Sequence, residues 1–112
     1  MEQPIESSVV VDLSPMEAMS QHAREAAELM KALSNEHRLM VLCVLMENEL
    51  SVSDLNARVS LSQSALSQHL AWLRKLGLVS TRREAQTIYY RLNGDRAQRV
   101  IAVLKDIFCP YS

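Results

Sequence analysis

The sequence has little of what phosphate-binding or thiol-redox active sites require, with only two glycines and two cysteines among its 112 residues. It contains no Gly-rich phosphate loop, no Cys-x-x-Cys motif and no evident constellation of acids and bases. These absences predict a protein that is not an enzyme and has no catalytic residues. A thiol oxidoreductase is the alternative of a different class, and turnover of a persulfide under excess reductant would be its signature.

Long apolar runs are also missing. No stretch approaches the roughly 20 apolar residues of a membrane span, and the N-terminal MEQPIESS is acidic, unlike a signal peptide. We therefore expect a cytoplasmic protein without a membrane partner. In that reducing compartment Cys43 and Cys109 are expected to be thiols, either buried structural ones or redox-active ones, rather than a disulfide framework.

Hydrophobic periodicity predicts helices along most of the chain. Residues 1–13 show no periodicity and are expected to form a disordered N-terminal tail, followed by one domain over residues 14–112. A capping box at residues 14–17 begins the first helix, and Ser34 is the expected cap of the second. A short third helix is predicted over residues 53–59.

A fourth helix is predicted to begin at Ser62 and to end at Gly77, a natural residue for the position after a helix. Residues 78–83 and 87–92 are rich in β-branched and aromatic side chains and predict a hairpin. A last helix follows and ends before Pro110. The order α-α-α-α-β-β-α, mainly α with a small β-hairpin, is typical of a winged helix-turn-helix domain.

The fourth helix and the hairpin have the character of a DNA-binding surface. The outer face of the helix carries short neutral donors and acceptors, which suit hydrogen bonds to base edges in a major groove. Residues 1–57 hold ten acidic and three basic residues, whereas residues 58–112 hold nine basic and three acidic ones. A localised basic face can meet DNA phosphates while the acidic remainder limits nonspecific binding. The predicted contacts with double-stranded operator DNA are Gln63, Ser64, Ser67, Gln68 and His69 from the helix and Arg82, Arg83, Gln86 and Thr87 from the hairpin.

The helices at the two ends of this small domain have few partners within one copy of the chain. Their apolar stripes are therefore expected to meet a second copy, which predicts a homodimer that doubles the contact with a half-site. The alternative is that the terminal helices only cover the core of their own chain.

Four segments resemble the pattern of ArsR/SmtB-family winged-helix transcriptional repressors, and the resemblance covers nearly the whole chain. They are MKALSNEHRL at 30–39, ELSVSDL at 49–55, LSQSALSQHLAWLRKLGLV at 61–79 and EAQTIYYRL at 84–92. The resemblance implies a dimer with the terminal helices at its interface and a ligand-controlled affinity for operator DNA.

The sequence departs from the metal-sensing members of that family. Ser51 and Ser53 stand where those members carry thiols, and neutral hydroxyls are poor ligands for a soft metal. The last helix, residues 95–108, holds no histidine for the other common metal site. We expect no metal and no cofactor, with His22, His37 and His69 as solvated or capping side chains.

The two cysteines match a different subgroup of the family. Cys43 in the second helix and Cys109 at the end of the last helix resemble the cysteine pair of the thiol-based, persulfide-sensing members (SqrR/BigR/HlyU-like). The resemblance implies that reactive sulfur species, persulfide or polysulfide, or oxidants link the two thiols and weaken DNA binding. The alternative is a regulator with another inducer or none, in which both cysteines are structural.

Overall fold

Five helices and three short strands follow one another in residues 14–111, the part of the chain that the computed structural model describes. The helices are α1 (Pro15–Leu33), α2 (Glu36–Leu45), α3 (Val52–Arg58), α4 (Gln63–Lys75) and α5 (Arg96–Phe108), and the strands are β1 (Leu50–Ser51), β2 (Val79–Glu84) and β3 (Thr87–Leu92). The predicted winged helix-turn-helix architecture is confirmed, whereas the expected N-terminal tail at 1–13 lies outside the described residues. No helix among residues 14–111 is both long and apolar enough to span a bilayer.

Side-chain caps start the helices at the places where short polar residues predict them. The Ser14 hydroxyl accepts a hydrogen bond from the Glu17 amide, and the Glu17 carboxylate accepts one from the Ser14 amide, which completes the predicted capping box. The Ser62 hydroxyl likewise accepts from the Ala65 amide at the start of α4. These caps satisfy amide groups that have no partner within the helix.

The predicted cap of the second helix is wrong by one residue. Asn35, whose backbone is extended, caps α2 by accepting from the amides of His37 and Arg38. Ser34 keeps helical dihedrals, and its hydroxyl donates to the Lys31 carbonyl at the end of α1. An N-cap requires a non-helical backbone, so only Asn35 can serve in this two-residue connection between helices.

The third helix begins at Val52, one residue earlier than predicted, and it directly follows a short strand that was not predicted. Ser51 is both the last residue of β1 and the N-cap of α3, and its hydroxyl accepts from the Asp54 amide at 3.1 Å. Leu50 and Ser51 pair antiparallel with Tyr90 and Tyr89 of β3, which gives a three-stranded sheet in the order β1-β3-β2. A two-residue strand is too short to show the alternation from which strands are predicted.

The core lies beneath α4 and sets the direction in which its polar face points. Leu66, Leu70 and Leu73 are completely buried and recur along one side of the helix. Burial of each such leucine contributes about 2 kcal/mol. Trp72 is half-buried beside them, packed against the core. The buried side of α4 thereby turns its polar side towards solvent.

Tight turns join α4 to the hairpin and close the hairpin at its tip. Gly77, with φ of +78°, and Leu78 donate to the carbonyls of Arg74 and Leu73, which is a Schellman end to α4 as the glycine predicts. The strands β2 and β3 pair as far as Glu84 and Thr87. The turn therefore has two central residues, Ala85 and Gln86, rather than the predicted three, and Ala85 adopts a φ of +57°.

Candidate nucleic-acid interface and thiol pair

The polar face of α4 carries the residues predicted to read bases. Gln63, Ser64, Ser67 and Gln68 are exposed, whereas His69 is half-buried. All five lie within the first two turns of the helix, after the Ser62 cap. The exposed four form a compact set of short donors and acceptors at the N-terminal end of α4, which is the end that a recognition helix presents to base edges.

The fifth residue, His69, belongs to a cluster that joins α4 to α2. The ring centroids of His69 and His37 are 6.4 Å apart, with an angle of 30° between the ring planes. Burial lowers the pKa of His69, and the nearby charges of Arg38 and His37 lower it further. The expectation of a merely solvated or capping side chain is therefore wrong for His69, because its ring packs against another helix.

Arg38 links three helices at this point. Its guanidinium carbon lies 4.2 Å from the centroid of the Trp72 ring on α4. Its Nε and Nη2 groups donate to the carbonyl oxygens of Ala32 and Lys31 at the end of α1, at 2.9 and 3.0 Å. Sequence reasoning missed Arg38, because its partners come from separate helices. The one sequence signal was a charged residue directly before the apolar run of α2 that begins at Leu39.

The four predicted hairpin residues, Arg82, Arg83, Gln86 and Thr87, are all exposed at the outer end of β2 and β3. We call this hairpin the wing. It carries Arg83 and Arg91 besides Arg82, and Nε of Arg91 donates to the Ser80 hydroxyl at 3.3 Å. The wing thus carries three guanidinium groups, as the charge distribution predicts.

Arg82 differs from the other wing arginines because carboxylates already surround it. Its Nε lies 2.8 Å from a Glu49 oxygen and its Nη1 lies 2.8 Å from a Glu84 oxygen. Its guanidinium carbon is also 4.6 Å from the centroid of the Tyr89 ring. Hydrogen bonds from Arg82 to Glu84 and Glu49 raise the pKa of the guanidinium. Any anion that binds Arg82 must compete with these two carboxylates.

The two cysteines are thiols on neighbouring helices. Cys43 is half-buried on α2, and Cys109 is exposed directly after α5, which packs against α2. The Cys109 amide donates to the Lys105 carbonyl at 2.7 Å. Burial raises the pKa of the Cys43 thiol, and the positive charge of Lys105 partly opposes this rise. The charge that acts on Cys43 thus comes from Lys105, one turn before Cys109 on the neighbouring helix.

Residues 14–111 contain no group of three or more His, Cys, Asp and Glu side chains that could hold a metal ion. The Ser51 hydroxyl is buried and serves as the cap of α3, and Ser53 is exposed on that helix. At these two positions, where thiol ligands would be needed for a metal site, this chain therefore has the first residues of α3 and its cap.

The terminal helices expose much apolar surface. Met16 and Met19 on α1 are 80% and 58% exposed, and Ile107 and Phe108 on α5 are 62% and 75% exposed. A groove of about 620 Å³ runs between the two helices, and its apolar lining includes Leu29 and Val103. The predicted apolar stripe of α5 is thus only partly used within one chain, where Ala97 and Ile101 are buried.

Known proteins share this arrangement. Residues 35–81 match the family described as bacterial regulatory protein, arsR family. Over 94 residues the chain is 50% identical to the transcriptional activator HlyU of Vibrio cholerae, which covers 84% of this chain and 87% of that protein. It is also similar to the structure of the transcriptional repressor BigR from Xylella fastidiosa, with a TM-score of 0.80 and 42% identity over 86% of this chain and 98% of that one.

A third similar structure is the homodimeric winged helix-turn-helix DNA-binding domain of Mb0332 from Mycobacterium bovis, a possible ArsR-family regulator. Its TM-score is 0.70 at 28% identity, over 88% of this chain and 89% of that one. The similarity to HlyU spans most of both chains, and the matched segment contains the helix-turn-helix and the start of the wing. The chain therefore belongs to the ArsR family of bacterial regulatory proteins, as a winged helix-turn-helix, DNA-binding transcriptional regulator and not an enzyme.

Proposed function

We propose that the protein is a homodimeric repressor whose affinity for operator DNA is switched by persulfide or oxidant modification of the Cys43–Cys109 thiol pair. The observation that carries this proposal is the packing of α2 against α5, which brings the charge of Lys105, one turn before Cys109, to bear on Cys43. As a DNA-binding regulator it would act in the cytoplasm, where bacterial operators lie.

In this proposal α4 enters the major groove and the wing follows the backbone or the minor groove. The exposed Gln63, Ser64, Ser67 and Gln68 hydrogen-bond with base edges or nearby phosphates, and His69 adds a contact from the rim of its cluster. Arg83, Gln86 and Thr87 hold the wing on the sugar-phosphate backbone.

The homodimer is supported by the exposed apolar residues of α1 and α5. An unpaired chain would leave Phe108 and Met16 in water at 75% and 80% exposure, and contiguous apolar patches of this kind mark protein interfaces. The similar Mb0332 domain is homodimeric. A two-fold dimer would present two copies of α4 to two half-sites.

The sulfur chemistry needs no cofactor. The exposed Cys109 thiolate attacks the outer sulfur of a glutathione persulfide, the bond between the two persulfide sulfurs breaks, and glutathione thiolate leaves. The Cys43 thiolate then attacks the inner sulfur of the Cys109 persulfide, hydrosulfide leaves, and a disulfide joins α2 to α5. When both thiols have first become persulfides, the same attack leaves a trisulfide and again releases hydrosulfide.

Cys109 is the expected first nucleophile because of its exposure. Cys43 is half-buried, and its raised pKa leaves less of the reactive thiolate at neutral pH. A link between the two would fix one packing of α2 against α5 and change the angle between the two copies of α4. A hundredfold change in DNA affinity needs only about 2.7 kcal/mol of coupling.

Fluorescence anisotropy of the reduced protein on DNA from upstream of its own gene tests the proposal. We expect binding to be lost after glutathione persulfide, restored by reductant, and retained in Cys43→Ser and Cys109→Ser variants treated alike. Release of DNA from both variants as readily as from the wild type would refute the thiol mechanism and leave another inducer. Mass spectrometry of the treated wild type identifies the disulfide or the trisulfide.

A further inference from the structure

The ion pair of Arg82 with Glu49 holds the outer half of β2 to the segment before α3, and its ion pair with Glu84 lies within the wing. Glu49 directly precedes β1, and Glu84 lies at the outer end of β2. Arg82 stands opposite Tyr89 in the β2–β3 register, and Tyr89 in turn pairs with Ser51 of β1. The guanidinium therefore rests over the Tyr89 ring with one carboxylate on either side.

This cluster changes the charge that the wing presents to DNA. Arg82, Arg83 and Arg91 would give the wing three positive charges, but Glu49 and Glu84 cancel two of them. Nonspecific affinity for DNA depends on the number of phosphates that a protein neutralises. The two carboxylates lower the attraction for any duplex, whatever its sequence.

The ion pairs are open enough to be exchanged. The side chains of Arg82, Glu49 and Glu84 are 46%, 28% and 68% exposed, and such solvated pairs hold their partners weakly. A phosphate accepts two parallel hydrogen bonds from one guanidinium and competes well with a carboxylate. Arg82 can keep its contact with the Tyr89 ring while its hydrogen-bond partner changes.

We propose that Glu49 and Glu84 mask Arg82 in the unbound protein, and that a phosphate of the operator displaces them once α4 has docked in the major groove. Arg82 then acts late, in the specific complex, and adds little to loose encounters with random DNA. Glu49 and Glu84 are specificity-determining residues that never contact a base. This inference rests on the proposed contact between the wing and DNA.

Anisotropy titrations with a random duplex and with DNA from upstream of the gene, at several salt concentrations, test the mask. The variants are Glu49→Gln, Glu49→Gln with Glu84→Gln, and Arg82→Ala in the wild-type and doubly substituted backgrounds. Glu47→Gln is the matched control, because it removes the same charge two residues from Glu49, and Glu47 belongs to none of the ion pairs found in residues 14–111.

The double variant should bind the random duplex about two- to fivefold more tightly at low salt. Its salt slope should steepen by up to about 0.9 for the unmasked charge. Arg82→Ala should cost at least about twice as large a factor in that background as in the wild type, because only there is the full charge available. Glu47→Gln should raise affinity less than Glu49→Gln does.

Unchanged affinity of the double variant for the random duplex would overturn the mask. An equal cost of Arg82→Ala in both backgrounds, or an equal gain from Glu47→Gln and Glu49→Gln, would do the same. If thermal unfolding shows that the double variant has lost its fold, Glu84→Gln alone replaces it and should also bind the random duplex more tightly. The Glu84 side chain is 68% exposed, so its substitution should leave the fold intact. Arg83→Ala separates the mask from the wing contact on which it rests. If Arg83→Ala loses no affinity for DNA, the proposed contact between the wing and DNA is wrong. If it does lose affinity, that contact stands and the variants above test the mask alone.

Discussion

The imidazole rings of His37 and His69 lie with their centroids 6.4 Å apart, on α2 and on the helix that carries the predicted base contacts. The same cluster holds the Arg38 guanidinium, which bonds the end of α1 and lies over Trp72. The position of α4 therefore depends on contacts with α2, which Arg38 in turn bonds to the end of α1, besides its leucine side in the core. A change in the charge of His69 acts directly on this junction.

Stability should fall when the solution is acidified through the ordinary range of histidine. The pKa of His69 is lower in the folded chain than its usual value, so the unfolded chain binds the proton more tightly. Stability is then fully present above the unfolded pKa, near about 6.5, and is lost as the pH falls towards the folded pKa. Urea unfolding followed by circular dichroism over this range measures the slope.

Replacement of His69 by glutamine should make that slope smaller. His22→Gln is the matched control, because it removes a histidine from the exposed surface of α1. The charged neighbours that act on His69 are Arg38 and His37, both from α2. The same pH dependence in wild type and His69→Gln would contradict the assignment to His69.

Substitutions in α4 and in the wing should weaken DNA binding in different ways. Gln68→Ala should lose about 1–3 kcal/mol of preference for the operator over random DNA, because a base-edge contact carries sequence information. Arg83→Ala should weaken binding to every duplex and reduce the salt slope by about 1, because a phosphate contact carries none. Anisotropy on both duplexes at several salt concentrations measures the two effects. If Gln68→Ala, like Arg83→Ala, weakened binding to both duplexes equally, the helix and the wing would not differ in the way proposed.

Lys105 should accelerate the chemistry of Cys43. Its positive charge opposes the rise in the Cys43 pKa that burial causes, so Lys105→Met should raise that pKa further and leave less thiolate at neutral pH. We expect iodoacetamide to alkylate Cys43 a few times more slowly in Lys105→Met, with Cys109→Ser in both proteins so that one thiol is followed. Lys75→Met, at the end of α4, is the control. A rate that responds equally to both substitutions would exclude a specific role for Lys105.

The parts of the fold that depend on near neighbours in sequence were predictable. The Ser14 capping box, the Ser62 cap and the Gly77 helix end each involve groups a few residues apart, and all three are found. The choice of Asn35 over Ser34 was not predictable, because both residue types favour caps and the backbone of a two-residue connection decides between them.

The exposed residues of the site were predictable from the sequence, but the contacts among its side chains were not. The exposed position of Gln68 follows from helical periodicity, and that of Arg83 follows from its place next to the predicted hairpin turn. The pairing of Arg82 with Glu49 joins residues 33 apart in sequence, and the burial of His69 depends on α2, which β1 and α3 separate from α4. Such contacts arise from tertiary packing, which a local pattern does not encode.

The apolar residues at the end of α5 should hold the dimer together. Phe108 is 75% exposed in a single chain, so Phe108→Asp would place a carboxylate in the proposed interface without disturbing the core of its own chain. An unpaired carboxylate in an apolar interface costs about 3 kcal/mol or more, a weakening of over a hundredfold. Sedimentation at micromolar concentration should show a dimer for the wild type and a monomer for Phe108→Asp, with DNA affinity lost in parallel.

Asn48→Asp is the control for this variant, because it adds the same charge in the exposed connection between α2 and β1, away from the terminal helices. It should remain dimeric. A lower melting temperature of Phe108→Asp would not by itself indicate a damaged fold, because dissociation of the dimer also lowers the apparent stability of each chain. The melting temperature is therefore compared with the sedimentation result. A wild type that sediments only as a monomer would refute the dimer. A Phe108→Asp variant that stays dimeric would move the interface away from the end of α5.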